Sequence, residues 1–161
     1  MAGGPIYPRS VVVLTADNIY PLYYQGQGAV PTDEELLGVE ASLSADSTFA
    51  LVFAMPESLP TGTGKLRLRA RANATSGNAK VNPKWKSVAA GEDPSTGALN
   101  AETVQTLTWA SGDADDYKEL LVTLDADTLV AGEELHMSLV FETASWTLAA
   151  ESGWSAAIVW Q

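Results

Sequence analysis

A chain of 161 residues with no cysteine is long enough for one domain with its own core, and it excludes a disulfide framework, a thiolate metal site and a cysteine nucleophile. No apolar run approaches the ~20 residues that span a bilayer, and the opening MAGGPIYPRS lacks the pattern of a signal peptide, so a soluble protein made in the cytoplasm is expected. Twenty acidic residues against nine basic ones, a formal net charge of −11, argue against general binding to nucleic acid.

Residues 1–46 differ from the remainder. Four of the eight prolines (Pro5, Pro8, Pro21, Pro31) and four of the five tyrosines (Tyr7, Tyr20, Tyr23, Tyr24) fall in the first 31 residues. Proline fixes φ and removes a donor, which predicts an extended N-terminal arm with at most an edge strand, SVVVLT. Ile6, Tyr7, Tyr20, Tyr23 and Tyr24 are the candidate anchors of that arm on a neighbour. PTDEELLG has the cap and the acidic first turn of one helical turn, with Gly38 opposing a longer helix.

From Ser47 onward, strands alternate with turn chemistry. STFALVFAMP sets Phe49, Leu51, Phe53 and Met55 in alternation and stops at Pro56. KLRLRARA places Leu66, Leu68, Ala70 and Ala72 on one face and Lys65, Arg67, Arg69 and Arg71 on the other. AKVNPKWKSV points Val81 and Trp85 inward and Lys80, Asn82, Lys84 and Lys86 outward, with Pro83 implying an edge or a bulge. AETVQTLTW, YKELLVTL with Leu120, Val122 and Leu124 toward the core, ELHMSLVFE and GWSAAIVWQ come next, and DADTLVAGEE is a loop with room for a short helical turn. Strands at roughly ten-residue spacing without amphipathic helices indicate an all-β antiparallel jelly-roll β-sandwich of about eight strands, residues 47–161, preceded by the arm, residues 1–46.

Residues 65–86 carry seven of the nine basic residues, and no acid occurs between Ser58 and Gly91. If the two strands of this segment pair through NATSGN, the cations of Lys65, Arg67, Arg69, Arg71, Lys80, Lys84 and Lys86 lie side by side, where like charges destabilise a sheet. Such a ribbon calls for an acidic partner, and three arginines favour bidentate pairing with carboxylates. The plain alternative is a charged outer face that protects an edge strand from aggregation.

The order of segments from FALVFAMP to LVAGEELHMSLVFE resembles jelly-roll proteins of tailed bacteriophages. Met55 and Pro56 of a turn, Ser76, Gly77, Asn78 and Trp85 of a turn and strand, Gly112 and Asp113, and Ala131, Gly132 and Glu133 fill the places of that family's motifs, over roughly residues 47–160. The resemblance implies a non-enzymatic capsid decoration (cement) protein on the capsid exterior. It would be a homotrimer that bridges subunits of the major capsid protein, with no cofactor and no membrane contact. The Lys/Arg-rich strand after the Met-Pro turn departs from the family's aromatic and polar one.

Other chemistries have less support in their residues. His136, the one histidine, sits on the polar phase of its strand and lacks an identified nucleophile and orienting group. Asp113, Asp115 and Asp116, and Asp125 with Asp127, supply oxygen ligands but not the spacing of a calcium loop. Trp85, Trp109, Trp146, Trp154 and Trp160 would serve a sugar-stacking face if exposed and coplanar. A receptor- or carbohydrate-binding virion appendage is therefore the alternative to capsid decoration.

Overall fold

The computed structural model describes residues 4–15, 19–21, 39–41, 47–93, 96–101, 103–114, 116–124, 129–142, 147–148 and 152–161, with main chain only for residues 10–49 among these and for 152 and 153. The strands are β1 (Ser10–Thr15), β2 (Ile19–Pro21), β3 (Val39–Ala41), β4 (Ser47–Ala54), β5 (Gly64–Ala72), β6 (Gly77–Val88), β7 (Asn100–Ala101), β8 (Gln105–Trp109), β9 (Tyr117–Thr123), β10 (Glu134–Phe141) and β11 (Ser152–Trp160). They pair antiparallel into two sheets. One has the order β2-β3-β11-β5-β9, and the other β1-β4-β10-β6-β7 with β8 also beside β6. The result is an all-β sandwich consistent with a jelly roll, with more strands than the eight expected because short pieces such as β2, β3 and β7 form beside the long ones. The expected helical turn at 31–38 lies outside the described residues; of the loop 125–134, residues 125–128 do so too, and the described 129–133 form a turn without helix.

Alternation explains the core. On β5 Leu66, Leu68, Ala70 and Ala72 are buried, on β6 Ala79, Val81 and Trp85, on β10 Leu135, Met137, Leu139 and Phe141, and on β11 Trp154, Ala156, Ile158 and Trp160. These belong to a single cluster fed by both sheets. Phe141 of one sheet meets Trp154 of the other with ring centroids 4.7 Å apart and planes tilted by 50°, the inclined geometry that aromatic quadrupoles favour.

The cationic segment does not form a hairpin. β5 pairs with β11 and β9, whereas β6 pairs with β10, β7 and β8. The chain crosses from one sheet to the other between Ala72 and Gly77. The physical reason is that each strand has one apolar face, and two facing sheets bury both faces against each other. Arg67, Arg69 and Arg71 therefore lie on one side of the molecule and Lys80, Lys84 and Lys86 on the other, so the cross-strand repulsion expected of a hairpin does not arise.

Pro83 is buried in the middle of β6, opposite Leu139 on β10. The Glu142 N–H donates to the Lys80 carbonyl at 3.1 Å, so alternation directs the even residues of β6 toward β10 and Pro83 the other way. On that other side pairing with β8 ends at Val81 and pairing with β7 starts at Lys84. The missing donor thus falls in the gap between two neighbours, which lets proline sit within the sheet.

The residues that carried the phage resemblance are junctions. The Gly132 N–H donates to the Pro56 carbonyl and the Met55 N–H to that of Glu133, both at 2.9 Å, so two motifs far apart in sequence staple each other. Asn78 accepts at its carbonyl from the N–H groups of Thr147 (2.9 Å) and Leu148 (3.1 Å). Its own N–H donates to Thr147 Oγ1 at 2.9 Å, and the Thr108 hydroxyl donates to Asn78 Oδ1 at 2.7 Å. Gly77 beside it has φ of 116°, and a Cβ there would lie 2.8 Å from the Thr147 carbonyl oxygen and 2.9 Å from Leu148 Cα. Only glycine satisfies both the backbone angle and that approach.

The start of the arm is part of the domain. Ile6 exchanges two main-chain hydrogen bonds of 2.8 Å with Ile158, and the Arg9 N–H donates to the Val52 carbonyl at 2.7 Å. The segment thus passes from the edge of the five-stranded sheet to that of the six-stranded one, where β1 pairs with β4. Ile6 packs against the core, a correction to its reading as an anchor for a neighbouring subunit: hydrogen-bonded and half-buried, it closes its own sandwich.

In the turn between β8 and β9, the Asp113 carboxylate accepts from the Ala110 N–H at 2.6 Å and pairs with the Lys118 ammonium at 2.7 Å. The bond to Lys118, then that to Ala110, holds the Asp113 carboxyl below its ordinary value.

Two outcomes are expected. Gly77→Ala should lower stability by about 1–3 kcal/mol, the cost of a strained backbone position, measured as a reduced urea midpoint; an unchanged midpoint would refute the junction. Because the folded pKa of Asp113 is depressed, its contribution is full above the ordinary aspartate range and is lost as pH falls through the folded value. Asp113→Asn should therefore unfold more readily than the parent at neutral pH, with the difference shrinking on acidification, and a difference independent of pH would contradict this.

Candidate binding face

The outer face of the five-stranded sheet is built on β5, whose alternation sets Lys65, Arg67, Arg69 and Arg71 in a single outward row. On β9 their register partners are Thr123, Leu121, Glu119 and Tyr117, and on β11 they are Val159, Ala157, Ser155 and Gly153. Successive outward positions on a strand are about 6.7 Å apart, so the row is roughly 20 Å long.

Each cation has a different environment. Arg69 Nε donates to Glu119 Oε2 at 2.8 Å, which neutralises one position in the row. The Arg71 guanidinium lies 5.9 Å from the centre of the Tyr117 ring, within range of cation–π attraction. Lys65 Nζ donates to Gln161 Oε1 at 3.3 Å. Arg67, in register with Leu121 and Ala157, forms neither an ion pair nor a side-chain hydrogen bond among the described residues. Arg67 is half-buried as a residue, and its guanidinium keeps a donor fork suited to a carboxylate, with two apolar register neighbours.

The lysines of β6 are on the opposite outer face. Lys86 donates to the Thr96 carbonyl, while Lys80 is in register with Thr106, Lys84 with Ser138 and Ala101, and Lys86 with His136. Of the described acids of the loops, Glu57, Glu92, Asp93, Asp113, Asp116 and Glu133 lie at the ends of the strands, whereas Glu142 accepts from Asn82 Nδ2 at 3.2 Å on the lysine face. The charge segregation visible along the chain thus becomes sheet faces rich in cations and loops rich in acids.

Of the arm anchors, Tyr7 is 60% exposed. Tyr20 is on β2 in register with Glu40, which pairs with Gly153, which pairs with Arg71. A continuous main-chain row therefore joins the arm to the arginine strand. Tyr23 and Tyr24 lie outside the described residues. Tyr117, Glu119 and Leu121 were missing from the expected site; their alternation with Leu120 and Val122 is plain in YKELLVTL, but nothing local says that this strand neighbours β5.

The remaining candidates take structural places. Trp85, Trp109, Trp154 and Trp160 are all buried, so these four do not make a sugar-stacking platform, because packing between the sheets takes their rings; Trp146 lies outside the described residues. His136 Nε2 is 2.9 Å from Glu134 Oε2, and the other oxygen of Glu134 pairs with Arg9, clamping the N-terminal segment to β10. No group of three metal-ligating side chains occurs among the described residues; Asp115, Asp125 and Asp127 are not among them. Among the described residues no helix is long and apolar enough to cross a membrane.

No protein-family model matches the chain, and no curated protein matches it either. Among solved structures, the carbohydrate-binding module TmCBM61 in complex with β-1,4-galactotriose is similar at a TM-score of 0.36 and 11% identity, over 76% of this chain and 70% of that one. The enzymatically active domain of tailspike protein 4 from bacteriophage CBA120 is similar at a TM-score of 0.39 and 9% identity, over 93% of this chain; the chain spans 19% of that protein's length.

Proposed function

We propose that this chain is a non-enzymatic, virion-associated binding module of a tailed phage, a receptor- or carbohydrate-binding appendage whose contact surface is the outer face of the five-stranded sheet. The observation that carries the reading is the row Lys65, Arg67, Arg69 and Arg71 on one outward, half-buried face, with Arg67 lacking an ion pair among the described residues, in a chain of net charge −11. A face needed only for solubility gains nothing from concentrating cations on an acidic protein, whereas a face that recognises an anionic target gains orientation and association rate from them. The virion setting rests on the sequence resemblance of residues 47–160, whose motif residues form the staples of this sandwich.

A second reading, capsid decoration by a homotrimer bound to the major capsid protein, is favoured by Tyr7. The residue is 60% exposed on a segment that Ile6 and Arg9 hold in place, the kind of preorganised aromatic that anchors interfaces.

The triple change Arg67→Ser, Arg69→Ser and Arg71→Ser should abolish retention of the purified chain on host cell envelopes at low salt, while Lys80→Ser, Lys84→Ser and Lys86→Ser should leave most of it. Retention of the parent should fall with ionic strength, since charges on an open face are screened over about 8 Å at physiological salt. Retention unaffected by the arginine changes would refute the proposed surface. Binding of the parent to expanded empty heads that is lost in Tyr7→Ala, without binding to envelopes, would favour decoration instead.

A further inference from the structure

The two halves of the arginine row differ. At one end Arg69 pairs with Glu119 and Arg71 lies against the Tyr117 ring, so both are engaged within the chain. At the other end the rows hold no acid on β9 or β11: Lys65 is in register with Thr123 and Val159, and Arg67 with Leu121 and Ala157.

The N-terminal segment extends the Arg67 row. Ile6 and Ile158 exchange two main-chain hydrogen bonds of 2.8 Å, and Ile6 packs against the core. In an antiparallel pair the next residue on one strand lies opposite the preceding residue on the other, so Tyr7 faces Ala157. Alternation turns Tyr7 outward, and Pro8 after it favours the extended backbone that this requires. Tyr7 is 60% exposed, and Ala157, between the larger Tyr7 and Arg67, is 2% exposed. The row is therefore Tyr7, Ala157, Arg67 and Leu121, roughly 14 Å across four strands.

This half of the face discriminates among targets. Sugar hydroxyls laid over Ala157, Leu121 and Val159 would lose water without gaining partners. Nucleic acid would bring its phosphates to a protein of net charge −11. A second copy placed face to face would set Lys65 and Arg67 against the same cations. A protein surface with a carboxylate among apolar side chains meets every feature, and tyrosine and arginine are enriched where such interfaces are most buried.

Resting on the reading of the chain as a binding appendage, we infer that the half of the face holding Lys65 and Arg67 docks on a protein of the host cell surface, at an aspartate or glutamate surrounded by apolar side chains. The Arg67 guanidinium holds that carboxylate by two parallel N–H···O bonds. Tyr7, Ala157, Leu121 and Val159 exclude water around it, and Lys65 at the rim steers the approach. No bond is made or broken.

The test is retention of the full chain at low salt on host cell envelopes that are intact, digested with proteinase, oxidised with periodate to destroy sugar diols, or amidated at their carboxylates. Digestion should remove retention and oxidation should leave it. Arg67→Gln and Tyr7→Ala should each weaken it about ten- to a hundredfold, the worth of a charged hydrogen bond or an interface anchor, with the melting temperature of the parent. Tyr7→Phe, which keeps the ring, should retain most of it. Amidation should bring the parent down to the level of Arg67→Gln. Leu99→Ala, which truncates an exposed apolar residue beside β7 of the other sheet, should be retained as the parent is.

Retention that survives digestion but not oxidation, and still requires the arginines, would overturn the inference and leave a glycan-binding face. Unchanged retention of Arg67→Gln or Tyr7→Ala would also overturn it, and the proposed face would stand if the triple arginine change still abolished retention. A lower melting temperature in Arg67→Gln would place the partner of that guanidinium within the chain, and self-association of the parent abolished by Arg67→Gln would give the face to a second copy; either result overturns the inference. If no envelope retains the parent, both the inference and the proposed face fall.

Discussion

The passage of the chain from one sheet to the other between Ala72 and Gly77 governs most of the architecture. β5 and β6 each have one apolar and one polar face. A single sheet would have left their apolar faces looking for a cover, whereas two facing sheets cover each with the other. That crossing depends on Gly77, where the Thr147–Leu148 segment approaches too closely for a Cβ, and on Asn78, whose main chain and side chain fix that segment and β8.

Long-range pairing then holds the sandwich together. β11, the last strand, is bonded to β5 over its whole length, to β3 at one end and to Ile6 at the other. The first and last parts of the chain thus close the five-stranded sheet together, and folding must bring them together against a large loop-closure entropy. The Met55–Glu133 and Pro56–Gly132 bonds work similarly at the end of the sandwich. Motif residues that are uninformative about chemistry are informative about where distant segments meet.

Electrostatics derives from this geometry. Strand alternation turns the cations outward and the turns gather many of the described acids, so an acidic chain acquires two faces rich in cations, with Glu119 on one and Glu134 and Glu142 on the other. These faces are not equivalent. The arginine face has an ion pair, a cation–π contact and, at Arg67, a guanidinium beside apolar residues with no ion pair among the described residues. On the lysine face the register partners are mainly small, hydroxylated or imidazole side chains. Guanidinium is weakly hydrated and planar, so the first face is suited to directional recognition and the second to solvation.

The long strands, their inward residues and the polar phase of each were legible in the amino-acid order alone, whereas the short β2, β3 and β7 were not. Period-two alternation is a local property of the backbone; in KLRLRARA hydrophobicity keeps to it without interruption, and in ELHMSLVFE only Val140 departs from it. The same alternation placed His136 on the polar phase of its strand and the arginines of β5 in one outward row. The identity of each strand's neighbours came from the three-dimensional packing: that β5 lies between β9 and β11, that β6 belongs to the opposite sheet, that Pro83 falls in a gap between β8 and β7, and that Ile6 is bonded within its own domain. Pairing in a sandwich joins segments separated by many residues, and alternation specifies a strand's faces but not its partners. The cationic segment thus looked like one ribbon along the chain, and the crossing at Gly77 divided it between two faces.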